Sequence, residues 1–172
     1  MARWKRGLTG LGIFGFAVAG MALPAAAGGA EKSHSNDPLV AYSAITDNPL
    51  TGVKGKVHAL RTPSGTTIVT LHLRGFDRAL EGRTFGAHVH VGPCADGVSA
   101  GPHYTDPDTS LPLEEREVWL DVTVNAAGNA SATASRNFAI PDDAAHAVVI
   151  HQNPTDPFGV AGPRLGCIGI DL

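Results

Sequence analysis

The chain has few cysteines, few aromatic residues and no excess of basic residues. Its 172 residues include 2 cysteines, 6% aromatic side chains, and 13 lysines and arginines against 16 aspartates and glutamates. An acidic balance is unsuited to nucleic acid, so we expect no nucleic-acid partner. Helical periodicity is absent beyond the N-terminal region, which argues against a helical fold.

The N-terminal region has the pattern of a secretory signal. Arg3, Lys5 and Arg6 precede an apolar run over 8–23 that ends in "PAAAGGA". We predict a signal peptide over 1–27, with an uncleaved membrane anchor as the alternative. No cysteine stands at the junction, which argues against lipid attachment. Cleavage would remove three basic residues and leave 145 residues with 10 basic and 16 acidic side chains, a net charge of −6.

This signal predicts a secreted, periplasmic or cell-envelope protein, of bacterial type, without stable membrane insertion after cleavage. Only Cys94 and Cys167 remain, and oxidising compartments favour their pairing. We therefore expect one disulfide, with two separate thiols as the alternative.

The exported part divides into a polar lead-in and one domain. Residues 28–37, which include His34, are small, polar and unpatterned, and predict a flexible lead-in. Residues 38–172 form one domain, an all-β sandwich or barrel. Its eight candidate strands lie near 38–46, 53–61, 66–74, 84–91, 117–124, 129–135, 145–151 and 164–170. The connections over 92–116 and 152–163 are too long for hairpin turns, and long ordered loops on a β scaffold often carry function.

Histidines concentrate in three of these segments. In "GAHVHVGPC" strand alternation places His88 and His90 on one face, His103 lies in "SAGPHY", and His151 ends "AHAVVIH". Four imidazoles could hold one copper, zinc, iron or nickel ion; four nitrogens in near-planar geometry favour Cu(II), and loss of one ligand suits Cu(I). The alternative is that these histidines are scattered. His58 and His72 alternate with lysine or arginine and, like His146, are expected to be exposed.

Three blocks together resemble the Cu,Zn superoxide dismutase family: "FGAHVHVGPCADGVSAGPHY", "VVIHQN" and "GPRLGCIGI". The resemblance implies an eight-stranded Greek-key β-barrel. It implies one copper per chain, held by His88, His90, His103 and His151, and a Cys94–Cys167 bridge that pins the long loop. Arg164 takes the position of the arginine that guides the superoxide anion, with structural donation to loop carbonyls as its alternative role.

The chain departs from the family pattern where zinc ligands are expected. Residues 104–121 contain no histidine, and Glu117 stands where a zinc-binding histidine would lie, with Asp121 near the aspartate position. The loop from His151 to Arg164 is also short. The chain therefore resembles the copper-only branch, and we expect no zinc.

Without zinc, another group must hold the second nitrogen of His103, and a carboxylate is a common choice. Glu117 is the candidate, with Glu114, Glu115 and Asp121 as rivals. A solvated acidic face is one alternative, and a zinc site made from His103, Glu117 and Asp121 is another.

The resemblance predicts an exported enzyme that converts superoxide to O₂ and H₂O₂ by Cu(II)/Cu(I) cycling, which zinc cannot perform. The alternatives are a copper-binding or copper-buffering protein without turnover, on the same fold, and a purely structural β-domain.

Overall fold

The structure is a computed structural model, and it describes residues 31–35, 37–96 and 99–172. The predicted signal peptide and its cleavage point lie outside these residues. Ten strands occur in the described residues: β1 Glu31–Ser35, β2 Val40–Ala41, β3 Lys54–Arg61, β4 Thr67–Arg74, β5 Thr84–Phe85, β6 Ala87–His90, β7 Val122–Thr123, β8 Asn129–Arg136, β9 Ala147–His151 and β10 Arg164–Gly169.

The strands form two four-stranded antiparallel sheets and one short pair. The first sheet has the order β1-β3-β4-β8, the second has the order β2-β10-β9-β6, and β5 pairs with β7. Alternation explains the packing, because β4 buries every second side chain, including Val69 and Leu71. These side chains join Val57, Ile150 and Ile168 in one core. The predicted all-β sandwich is confirmed.

Several boundaries differ from the sequence expectation. The candidate strand over 38–46 is reduced to β2, and the one over 117–124 is reduced to β7. The candidate over 84–91 is two strands that meet at Gly86. A Cβ at Gly86 would lie 2.6 Å from the Ala161 Cβ and 2.7 Å from the Asn153 carbonyl oxygen, because the loop after β9 packs directly against this bend. The alternation of apolar and polar residues in the sequence carries no information about such a close contact with a distant loop.

Part of the expected flexible lead-in is a strand. Residues 31–35 form β1, which pairs antiparallel with β3 and places the His34 Cα opposite that of His58. The physical reason is that β3 would otherwise present an unpaired edge, and backbone pairing there does not require an apolar pattern. A single helical turn, α1 Leu113–Arg116, also lies in the long loop and is too short to show helical periodicity.

The two cysteines form the predicted disulfide, Cys94–Cys167, with a Cα–Cα distance of 5.6 Å. The bridge joins the loop after β6 to β10. Within the described ranges no helix is long and apolar enough to cross a membrane.

Candidate metal centre

Three of the four candidate histidines lie on the outer face of the second sheet. In the register of β6 and β9, His88 is opposite Val149 and His90 is opposite Ala147. Residues directly opposite share a face, and His151 lies two residues beyond Val149, so it points to the same side. The inner face of the same strands packs Val89 and Ile150 into the core.

His103 reaches the cluster because its loop runs along the free edge of β6. The Tyr104 N–H donates to the Val89 carbonyl at 2.8 Å, and the Val91 N–H donates to the Pro102 carbonyl at 3.2 Å. Gly92 permits this path, since a Cβ there would lie 2.0 Å from the Ser99 carbonyl oxygen.

The four rings gather closely enough to hold one metal ion. One potential ligand atom from each of His88, His90, His103 and His151 lies within 4.8 Å of all the others. Three of the rings are buried, and His103 is half-buried. The rings of His88 and His103 are 4.1 Å apart between centroids, and those of His90 and His151 are 5.6 Å apart.

Hydrogen bonds fix which nitrogen of three rings faces the centre. The Nδ1–H of His90 donates to the Gly101 carbonyl at 3.0 Å, and that of His151 donates to the Gly162 carbonyl at 3.1 Å. The Nδ1–H of His103 donates to the Glu117 carboxylate at 2.7 Å. These acceptors carry no proton, so in a neutral ring the proton is on Nδ1 and Nε2 keeps its lone pair.

Nitrogen lone pairs that face one another with no proton between them repel, and a bound cation would relieve this repulsion. The Nε2 atoms of His90 and His151 are 3.4 Å apart, and each ring has its proton on the other nitrogen. The Nδ1 of His88 is buried and has no hydrogen-bond partner among the described residues. Buried polar atoms are normally paired, so the donor set fits a metal ion bound through imidazole nitrogens.

Burial keeps His88, His90 and His151 neutral, as metal ligation requires. It lowers the pKa of His88 to about 2, and the neighbouring histidines and Arg164 lower it further in the same direction. Burial also lowers the pKa of His90 to about 3 and that of His151 to about 4, against opposing hydrogen bonds to backbone carbonyls.

Glu117 is the carboxylate that the structure places beside His103. Its side chain is buried and also accepts hydrogen bonds from the Trp119 indole at 2.7 Å and from the Thr105 hydroxyl at 3.2 Å. Burial acts to raise the pKa of Glu117, but the bonds from His103 and Trp119 outweigh it and hold this pKa below its ordinary value. Its rivals Glu114 and Glu115 are exposed.

Asp121 is bonded elsewhere. Its carboxylate accepts from the backbone N–H of Thr155 at 2.8 Å and from the Thr155 hydroxyl, and that hydroxyl lies 2.7 Å from His88 Nε2. Glu117 and Asp121 therefore support different histidines.

Arg164 begins β10, and its guanidinium donates to the Gly101 carbonyl at 2.6 Å. The same carbonyl accepts from His90, so Arg164 does make the loop-carbonyl contact considered from sequence. Because this carbonyl bonds both residues, Arg164 lies beside His90, and its charge acts to lower the pKa of His88, His90 and His151.

The other histidines lie elsewhere. His58 and His72 are exposed, as predicted. His146 is half-buried rather than exposed, because its backbone continues the ladder to His90 and Ile170, and it belongs to a separate group of potential ligands with Asp143 and Asp171.

Sequence reasoning did not identify Thr155, Trp119 or the Gly101 and Gly162 carbonyls. Thr155 lies within the loop 152–163 that the sequence marks as functional, and Trp119 lies two residues from Glu117 in an extended segment. Every residue has a backbone carbonyl, so residue types do not indicate which carbonyls accept these hydrogen bonds.

Comparisons with known proteins support the fold. A solved structure described as the clock protein EA4 matches with a TM-score of 0.55 at 18% identity, over 81% of this chain and 93% of that chain. Neither a protein-family model nor a curated protein sequence matches this chain. The fold and site together define an antiparallel β-sandwich with a disulfide and a histidine cluster that could hold a metal ion.

Proposed function

We propose that the protein is an exported, copper-dependent superoxide dismutase that works without zinc. The observation that carries the proposal is the convergence of four imidazoles, each with one nitrogen turned to a common centre and the other held by a fixed partner. The resemblance of the three sequence blocks to the Cu,Zn superoxide dismutase family supplies the reaction. The disulfide and the signal-like N-terminal sequence support an extracytoplasmic location.

Four imidazole nitrogen donors suit copper, and His88, His90, His103 and His151 would hold one ion per chain. Bound copper would supply a Cu(II)/Cu(I) one-electron couple, the chemistry needed to convert two superoxide anions and two protons to O₂ and H₂O₂. The rest of the work falls to the side chains around the site.

Arg164 would attract the anionic substrate. The mature chain would carry a net charge of −6, which repels superoxide weakly at long range. The Arg164 guanidinium shares the Gly101 carbonyl with His90, and salt screens a charge little over distances below the Debye length of about 8 Å, so the local charge would dominate.

Glu117 would replace zinc as the support of His103. Its negative charge would hold the proton on Nδ1 and keep Nε2 available to a metal ion. Since Trp119 and Thr105 also donate to this carboxylate, its position is fixed from three sides.

The proposal is tested by metal content and turnover together. We expect the mature protein, reconstituted with copper and zinc, to retain one copper and no zinc per chain and to consume superoxide. Copper binding without turnover would defeat the enzyme and leave a copper-binding or copper-buffering protein. No copper binding would leave a structural β-domain.

Arg164→Ala is expected to lower kcat/KM by about tenfold or more at low salt, because electrostatic steering of charged substrates contributes on the order of 10–10³. Arg164→Lys should recover part of the loss, and added salt should narrow the difference. The exposed Arg78→Ala variant changes net charge equally and serves as the control. An undiminished rate in Arg164→Ala would refute the guiding role alone.

Glu117→Gln is expected to weaken copper binding by roughly 10–100-fold, the usual effect of losing a partner of a metal-bound histidine. The amide keeps the shape but removes the charge that holds the His103 proton. Competition with a chelator measures the affinity, and exposed Glu115→Gln is the matched control. Equal affinities for the two variants would show that Glu117 does not support the site.

A further inference from the structure

The loop after β9 places one hydroxyl between a carboxylate and a histidine of the metal centre. The Thr155 Oγ1 lies 2.7 Å from His88 Nε2 and 2.5 Å from Asp121 Oδ1, and the Thr155 N–H donates to Asp121 Oδ2 at 2.8 Å. Both oxygens of Asp121 are therefore bonded to one residue.

The number of protons decides the direction of each bond. An ionised carboxylate only accepts, so the single hydroxyl proton of Thr155 goes to Asp121. The Thr155 oxygen then has only lone pairs to offer His88, and the His88 Nε2 must be the donor. This places the His88 proton on Nε2 and leaves Nδ1 bare.

The bare nitrogen is the one that the cluster needs. In the part of the chain that the structure describes, nothing bonds the buried His88 Nδ1, whereas the other three rings are held through Nδ1. If His88 changed tautomer, Nδ1 would carry a proton in the place of a lone pair, and Nε2 would face an oxygen whose proton is already committed.

The loop position is itself enforced by packing. A Cβ at Gly86, in the bend before His88, would lie 3.0 Å from Thr155 Oγ1 and 2.7 Å from the Asn153 carbonyl oxygen. The absence of a side chain there lets the loop come close enough for the contact.

We propose that Thr155 is a positioning residue of the metal centre: it fixes His88 in the Nε2–H tautomer and transmits the negative charge of Asp121 to it. The expected effect on copper affinity rests on the proposed copper site, but the tautomer of His88 is a property of the metal-free protein.

Nitrogen-15 NMR of the metal-free mature protein tests the tautomer directly. We expect His88 to carry its proton on Nε2 in the wild type and in Thr155→Ser, and to lose that preference in Thr155→Val. A wild-type His88 protonated on Nδ1, or an unchanged preference in Thr155→Val, would overturn the proposal.

Copper affinity by chelator competition tests the consequence. Thr155→Val should bind copper roughly 10–100-fold more weakly, and Thr155→Ser should stay close to the wild type. Thr133→Val removes a threonine hydroxyl that is bonded only to Thr70 on the exposed face of the first sheet, and should change nothing. If Thr155→Val does not fold, Asp121→Asn tests the same series of hydrogen bonds. The asparagine amide has one accepting oxygen, so it cannot accept from both the hydroxyl and the backbone N–H of Thr155.

The two proposals fail separately. If copper-loaded wild type consumes no superoxide, the proposed enzyme is wrong while the His88 tautomer and affinity results stand. If Thr155→Val binds copper as tightly as the wild type, Thr155 has no positioning role whatever the turnover.

Discussion

Acidification of the metal-free protein from pH 7 to pH 5 should lower its free energy of unfolding by roughly 5 kcal/mol. The folded pKa values of His88, His90 and His151 are lowered to about 2, 3 and 4. In the unfolded chain each imidazole titrates near its ordinary pKa of about 6.5. Below that pH the unfolded state binds protons that the folded state does not.

The direction of the pH effect on stability follows from this difference in proton binding. Stability is unaffected by these groups above about pH 7, and falls as the pH drops through 6.5, by about 1.4 kcal/mol per pH unit for each histidine. The loss continues until the pH reaches the folded pKa of each ring. Bound metal should suppress the loss, because ligated imidazoles cannot be protonated without releasing the metal.

Urea denaturation of the metal-free protein at a series of pH values measures the effect. The double variant His58→Gln/His72→Gln removes two exposed histidines outside the cluster and serves as the control. His88→Gln should reduce the slope by about a third, since one of the three contributing rings is gone. A flat profile between pH 7 and pH 5 would contradict the burial of the neutral cluster.

Removal of the disulfide is expected to cost about 4 kcal/mol of stability on the chain-entropy estimate. Cys94 and Cys167 are separated by 73 residues, so reduction frees a long loop in the unfolded state. Because Cys167 is completely buried, alanine is the suitable replacement, as serine would bury a hydroxyl.

Guanidinium denaturation of Cys94→Ala/Cys167→Ala against the oxidised wild type gives the difference. The reduced wild type is the control, because it has the same side-chain volume without the cross-link. We expect the reduced protein and the double variant to lose the same free energy of unfolding relative to the oxidised wild type. A loss below about 1 kcal/mol would mean that the denatured chain is already restricted in this loop.

Much of the framework could be read from residue order. Alternation of apolar and polar residues in β3 and β4 gave strand positions within a residue of those observed, because one face of each strand must be buried. The pairing of two cysteines follows from their number and the predicted compartment. The four histidines were selected by spacing and by resemblance to a family.

The partners of these histidines were less accessible. Glu117 was suggested by its position in the chain, among several carboxylates, and the structure selects it because an extended segment along β6 turns it toward His103. The strand β1 was missed because edge pairing uses the backbone rather than an apolar pattern.

By itself, the sequence determined an antiparallel β-sandwich, a disulfide and a set of histidines competent to bind metal, since periodicity and residue chemistry are local properties. Only the tertiary structure decided which nitrogen of each ring faces the centre. That choice depends on acceptors contributed by distant loops: the Gly101 and Gly162 carbonyls, Glu117, and the Thr155 hydroxyl with Asp121 behind it. A hydrogen bond forms only when the fold brings donor and acceptor within about 3 Å, and sequence separation carries no information about that distance.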